Sequence, residues 1–163
     1  MKGQETLFSH KSDEWETPQD LFDALDYAFV FTLDPCATPE NAKCKKFYTK
    51  EDNGLTKSWE NETAFVNPPY SQIEKWVLKS LHEKTYSARV VMLLPARTDT
   101  KWFKYILETS SEIYFIEGRL KFKGAKSSAP FPSMIVYLGI KNQMRPHIFS
   151  VTKTFKFNEF NSD

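Results

Sequence analysis

The sequence predicts a three-layer α/β sandwich around a mixed, mainly parallel sheet, and three observations lead there. Short apolar runs alternate with stretches whose apolar residues recur at helical spacing. One run, Val90-Val91-Met92-Leu93-Leu94, is apolar without a break, as a strand covered on both faces must be. The chain has 163 residues, about the length of one domain, so all the layers must share a single core.

The first element in order is a helix. Thr17-Pro18-Gln19-Asp20 reads as its start: Thr17 is placed to cap, Pro18 suits the first helical position, and Asp20 complements the positive helix end. Leu21, Phe22, Leu25 and Phe29 supply its apolar face. A strand over 30–33 follows and ends in Asp34-Pro35-Cys36-Ala37. Residues 38–59 read as polar and irregular, with a turn at Asn53-Gly54 and no clear second strand. A strand over 64–66 then runs into Asn67, and Ile73, Trp76, Val77 and Leu81 mark a helix starting near Ser71. Pro95 stops the strand over 90–94, and Trp102, Phe103, Ile106 and Leu107 give a further helix. Strands over 113–116 and 134–140 flank a basic loop. Residues 145–163 fit an edge strand or a loose tail, and 1–12 a second tail, so 1–163 is expected as one domain.

Composition narrows the function classes. Cys36 and Cys44 make no disulfide framework and, with three scattered His, no zinc pattern. No apolar run approaches the roughly 20 residues that cross a bilayer, and residues 1–10 lack the apolar core of a signal peptide. A metal-free, cytoplasmic protein is the expectation. The net charge of +1 means that any nucleic-acid contact needs a local basic face. Arg119, Lys121, Lys123 and Lys126 form one such cluster, and Arg97, Lys101 and Lys104 a looser one. Either cluster alone also fits ordinary solvated charge. Fourteen Phe exceed what a small core needs, which makes some of them candidates for stacking on a planar ligand.

In a sheet of this kind the ligand crevice lies beyond the carboxyl ends of the strands, so Asp34, Asn67 and Pro95 should share one edge. Asn67-Pro68-Pro69-Tyr70 carries the chemistry. By itself it could be a proline-rich strand-to-helix turn. An exocyclic amine on a base is a poor nucleophile, because its lone pair is delocalised into the ring. Two acceptors gripping its hydrogens, the Asn67 side-chain oxygen and the Pro68 carbonyl, would aim that lone pair outward. Pro68 and Pro69 stiffen the loop and bring no N–H, and the Tyr70 ring offers a plate for a base. The tetrapeptide makes a clamp for a planar amine and contains no general base. In-line methyl transfer needs mostly positioning.

The tetrapeptide after a strand resembles the catalytic motif of amino-group methyltransferases acting on adenine in DNA. Six further fragments fall in the same order as in phage-type, Dam-like DNA N6-adenine methyltransferases. They are Trp15-Glu16-Thr17-Pro18, Leu33-Asp34-Pro35-Cys36-Ala37, Glu51-Asp52-Asn53-Gly54-Leu55, Leu93-Leu94-Pro95-Ala96-Arg97-Thr98-Asp99, Gly118-Arg119-Leu120 and Ala129-Pro130-Phe131-Pro132. The resemblance implies a Rossmann-like fold that binds S-adenosylmethionine, and a double-stranded DNA substrate. It implies that Thr17 and Pro18 touch the cofactor's methionine part. Trp15 and Trp59 read as packing residues, with Trp15 also a candidate to close over the cofactor. Asp34, Pro35, Cys36 and Ala37 would form the first cofactor loop, and Asp52 would lie near the cofactor's adenine. That loop departs from the usual glycine-rich form, since no Gly lies between Gly3 and Gly54, and Glu40 and Glu51 both remain candidates for the ribose hydroxyls.

The target adenine would have to leave the duplex and be held between Tyr70 and Phe122 or Phe131. Arg119, Lys121, Lys123 and Lys126 would grip phosphates around it, with Arg97 a further substrate-binding candidate. The same clamp would serve adenine in RNA or a glutamine amide in a protein. A DNA-binding module of this fold without turnover is the rival from another class.

Overall fold

A computed structural model describes residues 13–109 and 111–139, and the backbone alone of 147–151 and 157–159. The expected tail 1–12 lies outside the described residues, as does the far end of the strand expected over 134–140.

Helix α1 (Gln19–Phe29) buries Leu21, Phe22 and Leu25. Pro18 stands at its N-cap without a side-chain cap, so Thr17 does not have the capping role expected of it. The Thr17 hydroxyl accepts a hydrogen bond from elsewhere in the fold. Val30 closes α1 in the left-handed region at φ 56, which delays the first strand. Strand β1 is therefore only Leu33–Asp34, shorter than the expected run over 30–33.

Strand β2 (Lys46–Phe47) pairs in parallel with β1 inside the segment read as irregular. Two residues are too few to leave a periodic signal. Strand β3 (Thr63–Val66) leads through a single 3-10 turn, Tyr70–Gln72, into helix α2 (Ile73–Lys84). Strand β4 (Arg89–Pro95) is followed by helix α3 (Lys101–Leu107), whose N-cap Thr100 accepts from the Phe103 amide. Strands β5 (Glu112–Ile116) and β6 (Ser133–Leu138) follow, then β7 (His147–Val151) and β8 (Phe157–Glu159).

The eight strands lie in the order β2-β1-β3-β4-β6-β5-β7-β8. Four of the seven pairings are parallel (β1 with β2, β1 with β3, β3 with β4, and β5 with β7). Strand β6 runs against both β4 and β5, and β8 against β7.

Strand β4 shows why this is a three-layer molecule. Val90, Met92 and Leu94 face one apolar cluster with Ile73, Trp76 and Val77 of α2 and Phe103 and Ile106 of α3. Val91 and Leu93 face the other, with Leu21, Phe22 and Leu25 of α1. Both sets are fully buried, so the unbroken apolar run is what a central strand requires. Leu120 and Phe122 complete the second cluster from the loop before β6. That loop alternates over 119–123, with Arg119, Lys121 and Lys123 exposed and Leu120 and Phe122 buried.

Candidate active site

The parallel strands β1 and β3 end at the same edge of the sheet, where a cleft of about 440 Å³ opens. This is ample for a small-molecule ligand. Asp34, Pro35, Cys36 and Ala37 after β1 line one side, and Asn67, Pro68 and Pro69 after β3 line another. Residues 13–17 line it as well, and so do Asn53, Gly54 and Leu55, which follow β2 in the chain. Pro95 ends β4 at the same edge, as expected, paired with Ser133, but it does not line the cleft.

The Asp34 carboxylate is buried and accepts the backbone N–H groups of Lys43, at 3.1 Å, and Cys36, at 3.4 Å. Loss of hydration raises its pKa to about 6, although the two amides and the Lys43 charge pull the other way. Burial likewise pushes the Cys36 thiol well up, helped by the Asp34 charge. The loop has no glycine of its own, and Gly54 explains how it manages. A Cβ at Gly54 would stand 2.0 Å from the Pro35 carbonyl oxygen, so the close approach is made from the opposite wall. The Gly54 carbonyl accepts from Trp59 Nε1 at 3.0 Å, which fixes that wall to the core.

Asn67 is held through its amide hydrogens. Nδ2 donates to the Trp15 carbonyl at 2.5 Å and to Thr17 Oγ at 3.0 Å. The carbonyl can only accept, so Nδ2 must face residues 15–17 and Oδ1 must face away. Oδ1 is buried and makes no hydrogen bond among the described residues. The Tyr70 hydroxyl and Trp76 Nε1 are orphaned in the same way. Burial raises the Tyr70 pKa, against a small opposing effect of the Arg97 charge, so the phenol stays neutral.

The loop is tied down one residue further on. Asp13 accepts the Ser71 N–H at 2.6 Å and the Ser71 hydroxyl at 2.8 Å, and the Asp13 carbonyl accepts the Tyr70 N–H at 3.1 Å. Neither Asp13 nor Glu16 was legible as a site residue, because Ser71 and Lys123, their hydrogen-bond partners, lie more than fifty residues away.

The aromatic candidates divide. Trp15 packs against Phe122 and Phe131, each at 5.2 Å between centroids, and against Tyr70 at 6.2 Å. Phe122 is 2% exposed, beneath Trp15 and inside the second apolar cluster. It is therefore a core residue, and its expected place as a stacking partner for a base is corrected on that ground. Phe131 is half-buried, 5.4 Å from Tyr70 with the planes 57° apart. Parallel plates around a base need about 7 Å, twice the ~3.5 Å contact distance. As they stand, the two rings offer outer faces and no slot.

Two further expectations are displaced, and a third residue gains another partner. Asp52 is exposed, and its carboxylate closes a turn onto the Thr49 amide and hydroxyl, outside the cleft wall formed by its neighbours Lys50 and Asn53. Pro18 serves the helix start. Lys123, expected on a phosphate, is ion-paired to Glu16 at 2.7 Å. Arg97, Arg119 and Lys121 are exposed. Lys43, which was not anticipated, lines the cleft with its ammonium on Gln19 Oε1 at 2.9 Å.

Among the described residues no helix is long and apolar enough to cross a membrane, and no His, Cys, Asp or Glu cluster could hold a metal.

Comparisons with known proteins follow the same lines. The sequence model of the family described as DNA N-6-adenine-methyltransferase (Dam) matches residues 4–156. The chain is 36% identical over 110 residues to a DNA N-6-adenine-methyltransferase of Escherichia phage T1, covering 66% of this chain and 46% of the relative. It is 38% identical over 111 residues to a protein of the same description from Haemophilus phage HP1 (strain HP1c1), covering 65% of this chain and 64% of the relative. It thus spans about half to two thirds of their lengths. In fold it resembles a modification subunit assigned to a type I restriction enzyme of Vibrio vulnificus YJ016. There the TM-score is 0.50 at 11% identity, over 92% of this chain and 51% of that one.

Proposed function

Since this chain belongs to the DNA N-6-adenine-methyltransferase (Dam) family, we propose that it methylates the N6 amino group of adenine in double-stranded DNA, with S-adenosylmethionine as donor. One observation carries the reading: Asn67 is locked by its amide hydrogens while its buried Oδ1, beside the cleft, has no partner among the described residues. An unpaired buried acceptor costs about 1–3 kcal/mol, a strain that a donor arriving with the substrate would relieve.

The cleft fits the donor by size and by polarity. The buried Asp34 carboxylate, with a pKa lifted to about 6, is suited to a cationic or hydroxyl-bearing ligand. Pro35, Cys36 and Ala37 would hold the ligand from β1, Trp15 and Thr17 from above, and Gly54 and Leu55 from the far wall. When bound, S-adenosylmethionine supplies a methyl carbon on a sulfonium, open to attack by an amine lone pair.

The chain's own work is positioning. Asn67 Oδ1 and the Pro68 carbonyl accept the two hydrogens of the amine, which turns its lone pair towards the cleft. The proline rings keep competing N–H donors away. Tyr70 stacks on the extruded base, and its neutral hydroxyl adds no charge to repel or attract. Extrusion costs a few kcal/mol, which contacts from Arg97, Arg119 and Lys121 to phosphates would offset. The amine's proton leaves to water after transfer, so no side-chain base is needed. The chain acts as one catalytic domain, in the cytoplasm.

The test uses tritiated methyl donor with unmethylated duplex DNA, RNA and a glutamine-containing protein as separate substrates. Label should enter DNA adenine. Asn67→Ala should remove at least about 99% of turnover, with cofactor affinity by calorimetry within about threefold of wild type. Near-normal turnover in that variant, or label in RNA or protein alone, overturns the proposal.

A further inference from the structure

Residues 13–17 are fastened on two sides. Asp13, Trp15 and Thr17 bind the Asn67–Ser71 loop. Glu16, in the midst of them, faces the opposite loop. Its carbonyl accepts the Lys123 N–H at 2.9 Å, and its carboxylate takes the Lys123 ammonium at 2.7 Å. The same carboxylate oxygen lies 4.0 Å from the Lys43 ammonium. The four cations of the basic loop are therefore not equivalent. Among the described residues, Arg119, Lys121 and Lys126 make no ion pair, whereas Lys123 is doubly joined to one residue.

We propose that Lys123 is not a phosphate contact but forms, with Glu16, a positioning pair that registers the DNA-facing loop against the segment holding Asn67. The two acceptors for Asn67 Nδ2 belong to the residues on either side of Glu16. A shift of Glu16 therefore moves Trp15 O and Thr17 Oγ together. A reacting group misplaced by about 1 Å can lose roughly a hundredfold in rate, so a weak, partly exposed ion pair has leverage beyond its stability. The loop on which Lys123 sits also carries Phe122 beneath Trp15, which makes a second mechanical link between the same two segments.

The inference rests on the methyltransferase reading for its kinetic arm alone. Binding of the intact protein to mixed-sequence duplex DNA is measured as a function of salt. Lys121→Ala should lower the slope of log K against log salt by about 1, and Lys123→Met should leave it unchanged. In turnover on unmethylated genomic DNA, Glu16→Gln and Lys123→Met should each lower kcat about tenfold. The double variant should be no slower than either single one, and melting temperatures should stay within about 2 °C of wild type. Amide exchange at Tyr70 and Ser71 should speed up in Glu16→Gln without DNA present. A slope change in Lys123→Met matching that of Lys121→Ala, or additive kinetic losses, overturns the proposal. A wild type that transfers no methyl group, with the predicted slopes and exchange intact, refutes the methyltransferase reading and leaves the pair standing.

Discussion

The Thr17 hydroxyl accepts a hydrogen from Asn67 Nδ2 at 3.0 Å, across 50 residues of sequence. The Trp15 carbonyl, which can only accept, sets which way the Asn67 oxygen points, and the Thr17 bond adds a second hold on the same amide. Thr17→Val keeps the shape and removes the acceptor, so Nδ2 retains only the Trp15 carbonyl. Turnover should fall about tenfold, and Thr17→Ser should restore most of it. Steady-state kinetics on duplex DNA checks this, and an unimpaired valine variant would remove Thr17 from the positioning of the amide.

Asp34 should leave a mark on stability against pH. Its folded pKa of about 6 stands above the ordinary 3.8, so between these values the folded protein holds a proton that the unfolded chain has released. Rising pH then favours unfolding across that window. The penalty is full above about pH 6 and absent below about pH 4, and it amounts to about 3 kcal/mol at most. Denaturant melts from pH 4 to 8 should show this decline in wild type and a flatter profile in Asp34→Asn. Cofactor binding should also depress the Asp34 pKa, which the wild type would show as proton release in calorimetry at pH 6.

Gly54→Ala should be among the most damaging single-methyl changes in the chain. The new Cβ meets a backbone oxygen at 2.0 Å, which cannot be relieved by rotating a side chain. We expect a loss of about 1–3 kcal/mol in urea unfolding and at least tenfold weaker cofactor binding, since the collision displaces Pro35 in the cleft wall.

Phe122 and Phe131 set packing against the proposed contact with the base. Phe122→Ala should cost about 3–5 kcal/mol of stability. Phe131→Ala should cost less than half as much and should raise the KM for DNA. Thermal melts and kinetics on the same two variants would expose any reversal of these roles.

The strands over 64–66 and 90–94 and helices α1, α2 and α3 were legible because burial on a regular lattice leaves a period in the sequence. The tetrapeptide from Asn67 was legible because its chemistry is local. What stayed hidden was non-local. Strand β2 is two residues long and is defined only by its neighbour β1. Thr17 looked like a cap because a cap is the commonest local use of a threonine before a helix, and a partner fifty residues away took it instead. Asp52 followed a resemblance, but the turn at Thr49 claims its carboxylate. Phe122 reads as a loop aromatic until the alternation around it is seen, with Leu120 and Phe122 inside and the cations between them outside.

That alternation separates two selective pressures. Arg119 and Lys121 stand exposed, so other polar residues can replace them while Leu120 and Phe122 stay packed. A one-residue insertion after Gly118 would do the opposite, sending the charges inward and an aromatic out to solvent. Variation at this edge of the molecule should therefore run to replacements and avoid changes of length.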